Sequence, residues 1–285
     1  MKVGDNMQPI TSKLVTQTII ERPAESYKGN YGRVLLIGGN QNFGGAIIMA
    51  ATAATYSGAG LVTVATDPQN FTSLHARLPE AMVVDYHQTD YLLGLATNMD
   101  VIVIGPGLGT DPFAERLLTA VLNAVHQPQR LVIDGSALTL LAAHPQPLPA
   151  TPIVVTPHQM EWQRLSGLKI SEQTPTANHQ AQQKLGVIAV VKAHHTTIYT
   201  DQQVWFNPGG TPAMATGGMG DTLAGMIGGF SGQFTDFTNA ILSAVYLHST
   251  IADDLAASRY VVLPHQISAL IPKYMHDFSQ AELDD

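Results

Sequence analysis

Residues 34–56, VLLIGGNQNFGGAIIMAATAATY, contain a short apolar run, a glycine-rich loop and a longer apolar run. The first four residues are apolar without interruption, which predicts a strand that is buried on both faces. Residues 46–56 follow a helical period, and we interpret them as a helix. A strand, a loop and a helix in this order form the unit of an α/β fold with a mainly parallel sheet.

The same unit recurs along the chain. Short apolar runs bounded by Gly, Pro, Asn or Asp predict further strands at residues 61–65, 101–104, 131–133, 153–156 and 187–191. Residues 113–125 keep their apolar side chains on one helical face. After residue 191, two short runs at 196–200 and 203–207 predict a hairpin at a sheet edge, and two long helical patterns follow. We therefore expect one α/β domain over residues 1–285, with helices closing its C-terminal side.

The composition limits the possible functions. Of the 285 residues, 45% are hydrophobic and 13% are charged, the formal net charge is -8, and there is no cysteine. The lack of cysteine excludes disulfides and thiolate sites, and the acidity argues against nucleic-acid and membrane partners, which basic surfaces bind. We see no signal peptide in residues 1–26 and no apolar run of membrane-spanning length, which favours a cytoplasmic protein. The low charge content favours self-association, and we expect residues 282–285 to be a solvated tail.

Loops that follow strands are the first places to look for a site, because ligands of doubly wound sheets lie beyond the carboxyl ends of the strands. The loop GGNQNFGG at 38–45 could hold phosphate through backbone N–H groups. Its glycine spacing matches neither the dinucleotide motif nor the P-loop, and tight turns with close helix packing explain it as well. The loop GPGLG at 105–109 lets the backbone turn sharply and approach a flat ligand.

The segment TPHQME at 156–161 predicts the start of another helix. Proline disfavours helical geometry in the residue before it, so His158 and Glu161 lie three apart on one face of the new helix. The pair could bind substrate through His158 and a metal-bound water through Glu161. It could also be a capped helix with Glu161 at the favourable end of the helix dipole.

Residues 214–230, MATGGMGDTLAGMIGGF, combine glycines, one carboxylate and an apolar helical pattern. The apolar residues from 223 to 230 predict a helix that begins near Asp221 and buries this face. The loop at 217–220 would then offer free backbone N–H groups to an anion, such as a phosphoryl group in transfer. Asp221 could take a proton from an attacking hydroxyl, or it could be an N-cap flanked by turn glycines.

The string AMATGGMGDTLAG at 213–225 resembles the MATGGSGDxLAG signature of the NAD(P)H-hydrate dehydratases, a branch of the ribokinase-like superfamily. Other signatures of this family follow in order between residues 28 and 248, among them KGNYG, PEAM, GPGLG, IDGSAL, TPH and YLH. The resemblance implies a ribokinase-like three-layer sandwich, with a mainly parallel central sheet flanked by helices. It also implies dehydration of the 6S hydrates of NADH and NADPH (NADHX and NADPHX) with ADP or ATP and Mg²⁺, in a homotetramer.

In the reaction that the resemblance implies, the hydrate hydroxyl is phosphorylated and phosphate is then eliminated. The catalytic base would be Asp221, and Glu161 would hold the metal through water. The substrate contacts map by motif position onto Ala46, Gly107, His158 and Asp221. The nucleotide contacts map onto Lys192, Ala193, His194, His195, Thr196 and Gly220. The anion-binding turn maps onto Gly217, Gly218, Met219 and Gly220.

Three departures from the family pattern accompany these assignments. Met219 stands where the family usually has Ser, so we expect its side chain to point away from the phosphate. Ala193 replaces the usual Gly after Lys192, which restricts the conformations of that segment. Gln159-Met160 replaces Pro-Gly and leaves His158 and Glu161 intact.

Two other functions remain open from the residues. A kinase of the same superfamily would phosphorylate the alcohol of a vitamin precursor, and a nucleotide-sensing protein would bind without turnover. No side chain visibly reads the terminal phosphate, so ADP and ATP are equal alternatives. We interpret His248, which follows the apolar face of its helix, as a packed core or interface histidine.

Overall fold

The computed structural model describes residues 7–281, so the predicted tail at 282–285 lies outside the described residues. Ten strands in this part of the chain form one sheet. They are β1 (Gln8–Pro9), β2 (Arg33–Ile37), β3 (Leu61–Thr66), β4 (Met82–Asp85), β5 (Val101–Ile104), β6 (Arg130–Ile133), β7 (Ile153–Val155), β8 (Ile188–Val191), β9 (Thr197–Tyr199) and β10 (Val204–Phe206).

Eleven α-helices lie in the same described range. They are α1 (Ser12–Thr18), α2 (Gly44–Tyr56), α3 (Phe71–Arg77), α4 (Thr89–Ala96), α5 (Pro112–Ala124), α6 (Gly135–Ala143), α7 (Gln159–Ser166), α8 (Pro175–Leu185), α9 (Met219–Gln233), α10 (Phe237–Ala256) and α11 (Pro264–Gln280). No helix within residues 7–281 has both the length and the apolar character that a membrane span requires.

The order of strands across the sheet is β1-β10-β9-β8-β7-β6-β5-β2-β3-β4. Every neighbouring pair in the run β8-β7-β6-β5-β2-β3-β4 is parallel, whereas β9 is antiparallel to both β8 and β10. The chain moves outward from β2 to β3 and β4, and then returns to form β5 on the other side of β2. This reversal leaves a crevice above the carboxyl ends of β2 and β5, where α/β sheets bind their ligands.

The sheet separates two apolar cores, because successive residues of a strand face opposite sides. In β2, Val34 and Leu36 belong to one core, which also contains residues of α1, α2, α9, α10 and α11. Leu35 and Ile37 belong to the other core, with residues of α4, α5, α6 and α7. Helices on both faces of a mainly parallel sheet make the three-layer sandwich that the sequence predicts.

The predicted strands are confirmed with bounds that differ by one residue at most, and the predicted hairpin is formed by β9 and β10. The prediction that this hairpin lies at the sheet edge is wrong. β1 pairs in parallel with β10, with Gln8 opposite Trp205 and Pro9 opposite Phe206, and so covers that edge. At the opposite edge lies β4, a short and only partly buried strand that was not predicted from the sequence.

Helices α2 and α9 pack with their backbones in contact. A Cβ added to Gly225 would overlap the carbonyl oxygen of Ala50, and one added to Gly229 would lie 2.8 Å from the carbonyl oxygen of Ala54. At these two positions of α9 only glycine lets the backbone of α2 come this close. The contact holds the start of α9 beside the start of α2, at the carboxyl edge of the sheet.

Candidate active site

Asp221 lies in the first turn of α9, at the third helical residue. The helix begins at Met219, two residues before the predicted start, and Gly218 is its N-cap, with a left-handed φ of 93°. The N-cap alternative for Asp221 is therefore wrong. The first hydrogen bond of the helix runs from the N–H of Thr222 to the oxygen of Gly218 (2.9 Å), which leaves the preceding N–H groups without intrahelical acceptors. These groups and the helix dipole form an anion-binding end.

A partly buried ion pair lies beside this turn. Lys192 Nζ is 3.0 Å from Asp134 Oδ1, which also accepts a hydrogen bond of 2.6 Å from Thr156 Oγ1. The three residues follow β8, β6 and β7, so neighbouring parallel strands bring them to one edge of the sheet. A Cβ on Gly220 would be 3.1 Å from Lys192 Nζ, which puts the lysine against the first turn of α9. Asp134 was missed as a site residue, although it lies inside the IDGSAL signature.

Burial raises the pKa of Asp221 from 3.8 to about 6, and repulsion from Asp134 adds to this, while attraction to Lys192 opposes it. Burial also opposes the charge of Lys192, but the attraction of Asp134 and Glu161 outweighs burial and raises the pKa of the lysine. The site therefore combines a lysine whose charged form is favoured with a carboxylate whose pKa is about 6. A general base works best in this range.

His158 and Glu161 form a capping box at the start of α7. The N–H of His158 donates to Glu161 Oε2 (2.8 Å), and His158 Nδ1 accepts from the N–H groups of Met160 (3.1 Å) and Glu161 (3.2 Å). The prediction of a capped helix is thus confirmed, with His158 as the N-cap. Because Nδ1 accepts, the ring proton of a neutral His158 lies on Nε2, which is available to a ligand since the side chain is 55% exposed. The N–H of Lys192 donates to the oxygen of Pro157 (2.8 Å) and ties this box to the ion pair.

Ala46 and Gly107 meet at the crevice between β2 and β5. A Cβ on Gly107 would lie 3.0 Å from the Cβ of Ala46, and the φ of Gly107 is 63°, which favours glycine. The N–H of Asn40 donates to the oxygen of Gly107 (2.7 Å), so the two glycine-rich loops support each other. A Cβ on Gly218 would overlap Met49 Sδ, so α2 packs against the residue that caps α9. This contact links the crevice to the first turn of α9.

A cavity of about 440 Å³ lies next to Lys192. It is lined by five of the residues that the resemblance assigns to nucleotide binding: Lys192, Ala193, His194, Thr196 and Gly220. The sixth, His195, does not line it, and its ring stacks on that of His194 with 4.3 Å between ring centroids. The loop around residues 209–215 and the side of α10 close the cavity.

Met219 also lines this cavity, yet it is only 9% exposed and belongs to the core that contains α9 and α10. Its substitution for Ser therefore adds apolar packing at the start of the helix. The backbone N–H of Met219 stays in the anion-binding turn whatever the side chain is.

Within residues 7–281, no three His, Cys, Asp or Glu side chains are arranged to hold a metal ion by themselves. Glu161 is 8% exposed, and one of its oxygens is already engaged by the N–H of His158. An ion at this edge would therefore need ligands from water and from a bound phosphate. Mg²⁺ has this preference, because it keeps several waters and takes one or two carboxylates with substrate phosphates.

The chain is similar to known proteins both in sequence and in structure. The family model described as NAD(P)H-hydrate dehydratase matches residues 34–273. An ADP-dependent (S)-NAD(P)H-hydrate dehydratase of Lactiplantibacillus plantarum is 81% identical over 97% of this chain and 99% of that protein. Among solved structures, a ribokinase-like superfamily protein of Enterococcus faecalis gives a TM-score of 0.94 at 50% identity, covering 96% of this chain and 97% of that one. The ADP/ATP-dependent NAD(P)H-hydrate dehydratase of Bacillus subtilis, co-crystallised with ATP and Mg²⁺, gives 0.85 at 31% identity, covering 96% and 99%.

Proposed function

The chain belongs to the NAD(P)H-hydrate dehydratase family, and we propose that Asp221 is the base of its reaction. The enzyme is a nucleotide-dependent lyase that returns the hydrates of NADH and NADPH to the intact coenzymes. The observation that carries the assignment of Asp221 is its position. A carboxylate with a pKa of about 6 lies in the first turn of a helix whose free N–H groups and neighbouring Lys192 suit a phosphoryl group.

The proposed reaction has two steps. Asp221 takes the proton of the hydrate hydroxyl while this oxygen attacks the terminal phosphorus of the nucleotide, and the bond from that phosphorus to the nucleotide oxygen breaks. The lone pair of the ring nitrogen then expels the phosphorylated oxygen as phosphate, and loss of a proton restores the dihydronicotinamide. Lys192 and the N–H groups of Met219 and Gly220 stabilise the negative charge that builds up during transfer.

Ala46, Gly107 and His158 form the proposed substrate contacts. The absence of a side chain at Gly107 lets its loop pack against Phe43 and Ala46, and this packing shapes the crevice in which the hydrated ring would lie. Nδ1 of His158 is engaged by the backbone of α7, and Nε2 lies 3.6 Å from Glu161 Oε1, beyond hydrogen-bond distance, so the Nε2–H can donate to a substrate oxygen. These contacts would fix the hydroxyl next to Asp221, and orientation of this kind contributes strongly to rate.

We propose ADP as the phosphoryl donor, since the relative that is 81% identical is named ADP-dependent. The cavity of about 440 Å³ beside Lys192 offers charge and space for it. We also propose Mg²⁺ as a companion of the nucleotide, held through water by Glu161. When bound, this ion would neutralise phosphate charge.

A direct assay tests this function. We expect that the protein, incubated with NADHX, Mg²⁺ and ADP, restores the absorbance of NADH, and that it restores NADPH from NADPHX in the same way. ATP in place of ADP should give a slower recovery. If neither nucleotide gives recovery, the proposal is wrong.

The activity should depend on pH through Asp221. Because its pKa is about 6, we expect kcat/KM for NADHX at saturating ADP to fall below this pH, where the protonated carboxyl can no longer act as a base. Asp134→Asn removes a repelling charge, so the acid limb should move to lower pH. Lys192→Gln removes an attracting charge, so the limb should move to higher pH. Identical limbs in the unchanged protein and both variants, each with a normal melting temperature, would exclude Asp221 as the titrating group.

The assembly and the location are also proposals. We propose a cytoplasmic homotetramer of single-domain chains over residues 1–285. Its support is the low share of charged residues, 13%, and large apolar side chains that are exposed on the described surface, such as Ile20, Tyr27 and Tyr260. Light scattering on the purified protein would test the tetramer, and a monomer mass would contradict it.

A further inference from the structure

His248 is a buried histidine in the wall of the cavity that we assign to the nucleotide. It lies on α10, is 5% exposed, and lines the cavity together with Lys192 and Gly220. Its Nε2 has no hydrogen-bond partner among residues 7–281. A buried polar atom without a partner destabilises the fold, so its place in a residue that lines a binding cavity favours a ligand that pairs with the ring.

The imidazole is neutral in this position. Burial, assisted by the charge of Lys192, lowers the pKa of His248 to about 4. A neutral ring has one N–H donor and one nitrogen acceptor, and it has no charge with which to attract phosphate. The phosphates already have other partners in the same lining, namely Lys192 and the N–H of Gly220.

Most of the other residues in the lining have no ionisable side chain. Thr196, Thr211 and Ser249 contribute hydroxyl groups, and apolar surface comes from residues such as Pro212, Met214 and Leu223. Ser249 Oγ already accepts a hydrogen bond of 2.6 Å from Asn207. Uncharged hydrogen-bonding groups next to apolar surface match the base and the ribose of a nucleotide, which carry polar edges on a flat or apolar body.

We propose that His248 binds the adenosine part of the nucleotide through its ring and sets the affinity for it. This proposal rests on the proposed function, because it takes the cavity beside Lys192 as the nucleotide site. It changes the interpretation of His248 as a core histidine: the residue is packed, as the periodicity indicates, but it faces a ligand cavity.

Calorimetric titration of ADP into the full chain tests the proposal with two variants. His248→Leu keeps the bulk and removes the hydrogen bond, so ADP should bind about tenfold more weakly. His248→Gln places an amide near the position of Nε2, and its affinity for ADP should stay within about threefold of the unchanged protein. Pyrophosphate, which lacks adenosine, should bind equally to all three proteins.

Ser243→Ala is the matched control. Ser243 lies on the same helix, is buried, and has an unpaired Oγ within the described residues, but it does not line the cavity. Its removal should leave the affinity for ADP unchanged. Without nucleotide, His248→Leu should melt no lower than the unchanged protein, because it removes an unpaired polar atom from the core.

The outcomes separate this inference from the proposed function. If His248→Leu binds ADP as tightly as the unchanged protein, or loses pyrophosphate to the same extent as ADP, the role of His248 is overturned while the reaction stands. If the unchanged protein binds ADP but restores no NADH, the reaction is overturned and the role of His248 can still be measured. Binding of neither ADP nor ATP by the unchanged protein contradicts both.

Discussion

Asp221→Asn should lower the rate of NADH recovery by about a hundredfold or more, while the protein still folds and binds ADP. The amide has the shape of the carboxylate but cannot take the proton of the hydrate hydroxyl. The N-cap of this helix is Gly218, not Asp221, so the substitution does not remove a helix cap. A rate close to that of the unchanged protein would remove Asp221 from the mechanism.

The same substitution should also make the protein more stable above about pH 6. The pKa of Asp221 is raised in the folded state, from 3.8 to about 6, so the folded protein binds this proton more tightly than the unfolded chain does. The contribution of Asp221 to the free energy of unfolding is therefore fully present below about pH 4 and is lost as the pH rises to about 6 and above. The neutral amide avoids the loss, and we expect a gain on the order of 2 kcal/mol at about pH 8 that narrows towards pH 4.

Asp90→Asn provides the control for both measurements. Asp90 also lies in the first turn of a helix, α4, but it is exposed and far in sequence from the site. Its substitution should leave the rate unchanged and should not increase stability. A loss of activity that accompanies a gain of stability in Asp221→Asn alone would identify a residue retained for its chemistry.

Gly225→Ala should destabilise the protein by about 3 kcal/mol or prevent folding. Alanine is the better helix former by about 1 kcal/mol, but here its Cβ would overlap the carbonyl oxygen of Ala50. The oxygen belongs to the backbone of α2, so only separation of α2 and α9 relieves the overlap. Since both helices start at the active site, any folded Gly225→Ala protein should also lose activity.

Gly94→Ala is the matched comparison for this prediction. Gly94 lies inside α4, and a Cβ there would have no atom within 4 Å. We expect a gain of about 0.5 to 1 kcal/mol from helix propensity alone. Urea unfolding of both variants gives the difference between them. Equal free energies of unfolding for the two variants would contradict the prediction, because they would show that α2 and α9 can separate at little cost.

Strands buried on both faces leave a strong signal in the sequence, and this is why the central strands were predicted closely. The edge strands leave little signal: Gln8–Pro9 has two residues, and Met82–Asp85 is only partly buried. Neither has the long apolar run of a central strand. Pairing at an edge depends on which segment reaches it, and the local sequence does not record this.

The convergence of the glycine-rich loops of the candidate site was also predicted, because loops after parallel strands meet at one edge of the sheet. The partnership of Asp134 with Lys192 was not, since the two residues are 58 positions apart and only the order β6-β7-β8 brings them together. The role that we propose for His248 was hidden for a similar reason. Its helical period correctly indicates a buried residue, but a period cannot show that a cavity reaches it.

The two-residue strand β1 has a consequence for how the chain behaves among other copies of itself. β10 offers its outer backbone groups to any strand that arrives, and such open edges promote aggregation. Gln8 and Pro9 occupy this edge, with the N–H of Ile10 donating to the oxygen of Phe206 (3.0 Å), and proline has no N–H with which to recruit a further strand. A chain shortened to begin after residue 11 should therefore retain its catalytic residues and yet precipitate as edge-to-edge assemblies.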